Sequence, residues 1–507
     1  MSLAIVFSRA LLGVQAPEVR VEVHLSGGLP ALSIVGLPEA TVRESRERVR
    51  SALLNSGFEF PQRRITINLA PADLPKEGGR FDLAIALGIL VASGQVPPER
   101  IERAEFIGEL ALSGELRGVS GVLPAALACR EASRQMVLAA DNSSEVGLVE
   151  SLEASVAHNL LDVTAWLRQQ RNLSAATALP LERPADIPCL SDVRGQFQAK
   201  RALEVAAAAG HNLLMCGPPG SGKSMLAARL PGLLPALNNN ERLEVASICS
   251  VAALDVTPAC QGIRPFRSPH HTASAVALVG GGSFPKPGEV SLAHQGVLFL
   301  DELPEFSRSV LEVLREPLET GHILISRAAM QMQYPAGFQL VAAMNPCPCG
   351  YFGESGGRCR CSPEQVRRYQ AKISGPLLDR FDLMVGVSAI PPDELLSNPD
   401  QDAGSEVGPM LERITTARKA QYNRQGKLNR QLTAKEMDRY CQLQPEQKQF
   451  LVNAIKQLKL SARASHRIIR VARTLADLSG DKDINQQHLI EALSFRTGTI
   501  SYFSAAE

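Results

Sequence analysis

A chain of 507 residues is too long for one hydrophobic core and implies about two to four domains. Its 45% hydrophobic and 21% charged residues, with a net charge of +1, describe an ordinary soluble globular protein, and no apolar run is long enough for a membrane helix. Ten cysteines, four of them clustered, are not spaced like a secreted disulfide framework, so a cytoplasmic protein is expected.

The opening MSLAIVFSRALLG has no basic leader and is interrupted by Arg9, so it reads as a buried strand and not as a signal peptide. VRVEVHLS and RRITINLA alternate like strands, EATVRESRERVRSALLNSG and SGVLPAALACREA have helical periodicity, and LAIALGILVA (83–92) reads as a buried helix. Residues 1–170 are therefore expected to form a mixed α/β or α+β domain. The helix VRESRERVRSALL carries Arg43, Arg46, Arg48 and Arg50, which suit either a DNA-facing surface or a solvated face laced by Glu44 and Glu47. A polar, proline-bearing linker follows over 171–188. Apolar strands then alternate with helices over 189–390 in the manner of a parallel sheet. A second linker, acidic and rich in turn formers, spans 391–409 and leads to a helical region over 410–507.

The chemistry is concentrated in 189–390. Gly217, Pro218, Pro219, Gly220, Ser221, Gly222, Lys223 and Ser224 have the P-loop spacing, between the apolar strand NLLMC and the helical SMLAARLPGLL. Glycines there let backbone N–H groups curl around phosphates, Lys223 reaches the outer oxygens, and Ser224 holds Mg²⁺. GVLFLDELPEF ends an apolar strand in Asp301, placed to share the Mg²⁺, and Glu302, placed to polarise water. FQLVAAMNP ends a strand in Asn345, an amide suited to positioning that water. In GPLLDRFDLMV, Arg380 suits transition-state charge on a phosphoryl group, or else an ion pair with Asp379 or Asp382.

Downstream, LSARASHRIIRVARTLADL is a helix on which Arg463, Arg467 and Arg470 share one face; Arg463 is the residue expected to reach back to the nucleotide. NPCPCGYFGESGGRCRCSPEQ places Cys347, Cys349, Cys359 and Cys361 as two C-x-C pairs, which suit a structural Zn²⁺ or are simply small reduced residues in a glycine turn. From Leu411 to Arg473, fifteen Lys and Arg stand against four Asp and Glu, a balance that favours a nucleic-acid partner over a solvated helical lid. HHTAS (270–274) and SRAAMQMQYPAG are either loops facing a nucleic acid in a pore or loops packed between subunits.

Taken in order, the P-loop, Asp301-Glu302, Asn345, Arg380 and Arg463 resemble the Walker A, Walker B, sensor 1, arginine finger and sensor 2 of AAA+ ATPases, and DVRGQ resembles the box before their P-loop. The insertion FRSPHHTASAVALVGGGSFPKPGEVSLAHQG resembles the magnesium-chelatase-like branch, whose extra hairpin would be HILISRAAMQMQYPAGF (322–338). Over nearly its whole length the chain is most similar to the ComM/YifB family. That resemblance implies ATP and Mg²⁺ as cofactors, a ring that is usually a hexamer, and no membrane. It further implies a DNA translocase with helicase and branch-migration activity on single-stranded and branched DNA, acting as transforming DNA is integrated in natural competence. A magnesium-chelatase-type motor and a protein-remodelling ATPase are the competing readings.

Residues 65–88 and 106–132 resemble the Lon protease fold. Lys76-Glu77-Gly78-Gly79 is followed by Arg80-Phe81-Asp82, no serine occurs until Ser93, and no lysine lies between Lys76 and Lys200. A hydroxyl without an activating base is no nucleophile, so the expectation is a Lon-like domain without the protease dyad. The expected fold class is thus α/β, a P-loop AAA+ core with a helical C-terminal lid and an N-terminal α+β Lon-like domain.

Overall fold

The structure, a computed structural model, describes residues 3–37, 39–180, 188–282, 285–327, 330–353, 357–389, 407–458 and 460–497. Period-two alternation turns Ala4, Val6 and Ser8 inward and makes Leu3–Arg9 a half-buried strand. It lies inside an eight-stranded mixed sheet. From one edge the order is Ser174–Ala175, Ala154–Ala157, Gln135–Ala139, Ala104–Ile107, Leu3–Arg9, Glu18–Ser26, Arg64–Ala70 and Ala31–Val35. Arg9, which breaks the apolar run in the sequence, is buried and grips Glu105 with Nε and Nη2, both at 2.7 Å. A buried charge is tolerated when it is paired in this way.

Helix Asp82–Ala92 is buried at every position against this sheet, as its unbroken apolar run requires. Helix Ala40–Asn55 packs on it through Arg48, whose Nε bonds Asp82 at 2.7 Å, while Arg50 lies over the Phe60 ring. Arg48 is thus committed to the fold, and Arg50 remains exposed. Lys76 is fully buried and donates to the Pro71 carbonyl; Arg80 is also buried and donates to the Ser120 carbonyl. Both cations of the PKEGGR turn are thus used as internal ties. Part of the stretch expected as linker, Ser174–Ala175, adds an edge strand to the sheet, and 181–187 lie outside the described residues.

The second sheet has five parallel strands: β1 (Leu213–Cys216), β2 (Phe266–Arg267), β3 (Val297–Leu300), β4 (Gln339–Met344) and β5 (Leu383–Gly386). Their order is β2-β3-β4-β1-β5. Every residue of β1, β3 and β4 is buried, as a parallel sheet covered on both faces demands. Leu213, Met215, Phe299 and Val341 point to one face, where they share a core with Ile414, Ile468, Leu475 and Leu489 of the C-terminal helices. Leu214, Leu298, Leu300 and Ala342 point to the other face, against Ile323, Ile325, Met332 and Tyr334. The C-terminal helices begin at Val407 and are continuous with the core of the sheet; 390–406, most of the expected second linker, lie outside the described residues.

One expectation is corrected here and another is narrowed. The hairpin forms where the sequence puts it, as His322–Arg327 against Met330–Pro335, with 328–329 outside the described residues. Its Tyr334 and Met332, however, are buried, and the Tyr334 hydroxyl donates to the Pro285 carbonyl at 2.6 Å. Strand alternation gives the outer face to Leu324, Gln331 and Gln333 instead, so Tyr334 and Met332 are core and do not face a nucleic acid in a pore.

Part of the basic surplus of 411–473 is tied into the fold. Arg413, Arg424, Lys427 and Arg473 pair with Glu204, Asp477, Glu436 and Asp477. Arg430, Arg467 and Arg470 donate to the carbonyls of Gly210, Phe381 and Leu432. Side-chain counting could not reveal that these seven cations have partners within the chain. Lys419, Lys435, Arg439, Lys448, Lys456 and Arg463 remain exposed. Among the described residues, no helix is long and apolar enough to cross a membrane.

Candidate nucleotide site

Four of the expected groups meet at the C-terminal ends of β1, β3 and β4. The P-loop turns out of β1 so closely that a Cβ on Gly217 would stand 2.0 Å from the Val387 carbonyl oxygen. Gly222 caps helix Lys223–Leu233 with φ +87°, a conformation side chains rarely adopt. The helix N-terminus therefore opens toward the loop, as anion binding requires. Lys223 is buried, and its Nζ donates to the carbonyls of Gly217 and Pro218 at 2.9 and 2.8 Å and to Asn345 Oδ1 at 3.3 Å. Burial pulls its ammonium below the ordinary lysine value.

Ser224 Oγ donates to Asp301 Oδ2 at 2.5 Å, joining the P-loop helix to the end of β3. These two hard oxygen donors, beside a buried lysine, fit Mg²⁺ as sequence spacing predicts. Bound there, Mg²⁺ would neutralise charge on phosphate oxygens. Glu302 follows with φ 50° and its carboxylate about half exposed, and its amide donates to Asp301 Oδ1 at 2.9 Å. Gln196 of the DVRGQ box donates to the carbonyls of Ser221 and Ser388, tying the P-loop to the segment after β5.

Sequence reasoning missed the partner of Glu302. His271 of HHTAS lies with Nδ1 3.2 Å from Glu302 Oε2, between the His270 ring at 4.1 Å and the Phe306 edge. The motif was visible; its neighbour across the sheet was not.

Arg380 and Arg463 are elsewhere. Arg380 immediately precedes β5, and its carbonyl accepts from Asn212, the residue before β1, at 2.8 Å. Both mark the N-terminal rim of the sheet, whereas the P-loop occupies the C-terminal rim. A four-residue strand separates the rims by roughly 13 Å. Arg380 pairs with Glu319, and neither Asp379 nor Asp382 is its ion-pair partner; Asp382 faces His211 instead. Arg380 and Arg463 line one cavity of about 630 Å³, whose lining includes seven arginines, a single carboxylate, Glu319, and no P-loop residue. Arg463 therefore does not reach back to its own P-loop. Helix Ala462–Ser479 carries it to the rim occupied by Arg380. Burial, then the charges of Arg467, Arg463 and Arg315, lower the Arg380 value, and burial draws Arg418 down to about 10.

The four cysteines follow directly after Asn345. Cys347, Cys349, Cys359 and Cys361 are brought together, with one sulfur from each inside a 4.8 Å set.

Comparison with known proteins gives the family. Residues 189–395 match the model for magnesium chelatase, subunit ChlI; residues 21–142 match that for subunit ChlI of Mg-chelatase; and 405–496 match that for the ChlI C-terminal region. The chain is 52% identical to competence protein ComM of Haemophilus influenzae, over 98% of each chain. It is 50% identical to the YifB proteins of Salmonella typhimurium and Escherichia coli, over 98% of this chain and 97% of theirs. The chain belongs to the ComM/YifB family. Membership of this magnesium-chelatase-like AAA+ family implies ATPase activity with ATP and Mg²⁺, and the parallel sheet with its helical C-terminal region is consistent with that class.

Proposed function

We propose that the chain is an ATP-driven DNA translocase that works as a ring, usually a hexamer, and promotes branch migration as transforming DNA is integrated. The observation that carries the ring is the separation of Arg380 and Arg463 from their own P-loop by the width of the sheet. A guanidinium at the N-terminal rim serves the triphosphate of a neighbouring copy, supplying charge as the phosphoryl group is transferred. Within each copy, Lys223 and the P-loop amides hold the phosphates, Ser224 and Asp301 hold Mg²⁺, Glu302 takes a proton from the attacking water, and Asn345 orients that water. Likeness to a protein named for competence supports DNA as the substrate.

Two measurements test this reading. Arg380→Ala and Lys223→Ala chains, each inactive alone, should recover hydrolysis when mixed, because one supplies the P-loop and the other the arginine. Normal mixed rings without recovery would refute the shared site. Wild type should migrate a labelled four-way junction with ATP at low salt, where phosphate contacts are strongest, and Glu302→Gln should not. The chelatase likeness favours a second reading, a metal-inserting or protein-remodelling motor. That reading gains if neither junction migration nor DNA-stimulated hydrolysis is seen.

A further inference from the structure

Beside the nucleotide site, Cys347 Sγ stands 3.3 Å from Cys349 Sγ and 3.8 Å from Cys359 Sγ, and Cys349 and Cys359 are 3.6 Å apart. Cys361 completes the set, with all four sulfurs within 4.8 Å of one another. Four thiolates around a tetrahedral Zn²⁺, with Zn–S near 2.3 Å, stand about 3.8 Å apart. Disulfides would need about 2.05 Å, and all four cysteines are free. The spacing is also too tight to enclose a multi-iron cluster.

Neither regular structure nor apolar burial accounts for this convergence. Between β4 and helix Pro363–Gln370, no strand or helix occurs among the described residues. Only Cys347 of the four is buried. Arg358 and Arg360 alternate with the second cysteine pair and offset the net negative charge of four thiolates on one dication.

The position of the cluster gives it a second consequence. Gly350, at φ +88°, lies so close to the P-loop that a Cβ there would stand 2.5 Å from Pro219 Cδ and 3.8 Å from Asn345 Cγ. Gln370 Nε2 donates to the Pro346 carbonyl at 3.0 Å, and Ser362, next to Cys361, caps that helix. The loop thus leaves Asn345, crosses the P-loop and returns to a capped helix, and the sulfurs are the groups that close it.

We propose that Cys347, Cys349, Cys359 and Cys361 bind one Zn²⁺ as a closed structural site, and that this knot holds Asn345 against the P-loop as a positioning element for hydrolysis. The second half rests on the ATPase reading above; the first does not. Full-length protein purified under reducing conditions without chelator should contain about one zinc per chain, and a mercurial should release it as four thiols react. Cys359→Ser/Cys361→Ser should lose it. Less than about a tenth of a zinc per chain, with no uptake when zinc is titrated into reduced protein, overturns the site, as does iron in its place. Cobalt(II) exchanged into wild type tests the geometry without any substitution: intense tetrahedral thiolate bands support the site, and a weak octahedral spectrum overturns it.

For the positioning role, metal-stripped wild type and the double variant should bind fluorescent ADP within about threefold of the loaded chain but lose roughly tenfold in kcat. Equal kcat in loaded and stripped protein overturns that role. A zinc-loaded wild type that never turns over ATP, with or without DNA, overturns the ATPase reading and leaves the metal site standing.

Discussion

The imidazole Nδ1 of His271 stands 3.2 Å from the carboxylate of Glu302, so the residue proposed to take the proton from water is already engaged by a neighbour from a different loop. A carboxylate shared in this way is less free to act as a base. Losing one partly exposed polar contact of at most about 1 kcal/mol corresponds to at most about fivefold in rate. His271→Ala should therefore raise steady-state hydrolysis without DNA by up to that factor. A fall in the DNA-free rate would show that His271 orients Glu302 for catalysis instead of restraining it.

Lys223 points inward, onto two P-loop carbonyls and Asn345 Oδ1. A triphosphate must replace those bonds, so lysine and asparagine should separate binding from chemistry. Lys223→Ala should weaken ATP binding by about 3 kcal/mol, roughly 100-fold, in a fluorescent-nucleotide titration. Asn345→Ala should retain that affinity and lose about 100-fold in kcat.

Glu319 is the one carboxylate among seven arginines around the 630 Å³ cavity, and it pairs with Arg380. Removing it leaves the cavity lining without a carboxylate and Arg380 without its ion-pair partner. Glu319→Ala should lower the melting temperature, by about 1 kcal/mol of stability, and pyrophosphate should restore the loss more than chloride at equal ionic strength. No difference between the two anions would mean that the cavity does not gather phosphate charge.

Asp382 is fully buried beside His211. Burial alone would raise its carboxyl, but the His211 contact and the charges of Arg467 and Arg430 more than reverse this and hold it well below the ordinary value. Its stabilisation is present in full above about pH 4 and is lost as the pH falls below that. Asp382→Asn should cost about 3 kcal/mol at neutral pH and flatten the acid side of the stability profile measured by urea unfolding. An unchanged acid limb would assign it to other carboxylates.

Much of the site was legible because its signals are local. The P-loop glycines, the helix after Lys223 and the acids after β3 depend on backbone conformations spanning a few residues, and those conformations demand particular residue types in sequence. The same holds for Leu3–Arg9 and Asp82–Ala92, whose apolar patterns state their burial. The basic count of 411–473 overstates the free charge because charge in a sequence carries no address: Arg424 and Arg473 look free on paper and both close on Asp477 in the interior.

The sequence by itself determined that a loop of P-loop spacing, two acids and an amide each follow an apolar strand, because each motif is written into contiguous residues. Only the tertiary structure decided that Arg380 and Arg463 share the far rim, that His271 rests on Glu302, and that Tyr334 is core. Those facts follow from strand order and packing between segments tens of residues apart, where the free energy of burial, and not local backbone preference, chooses the neighbours.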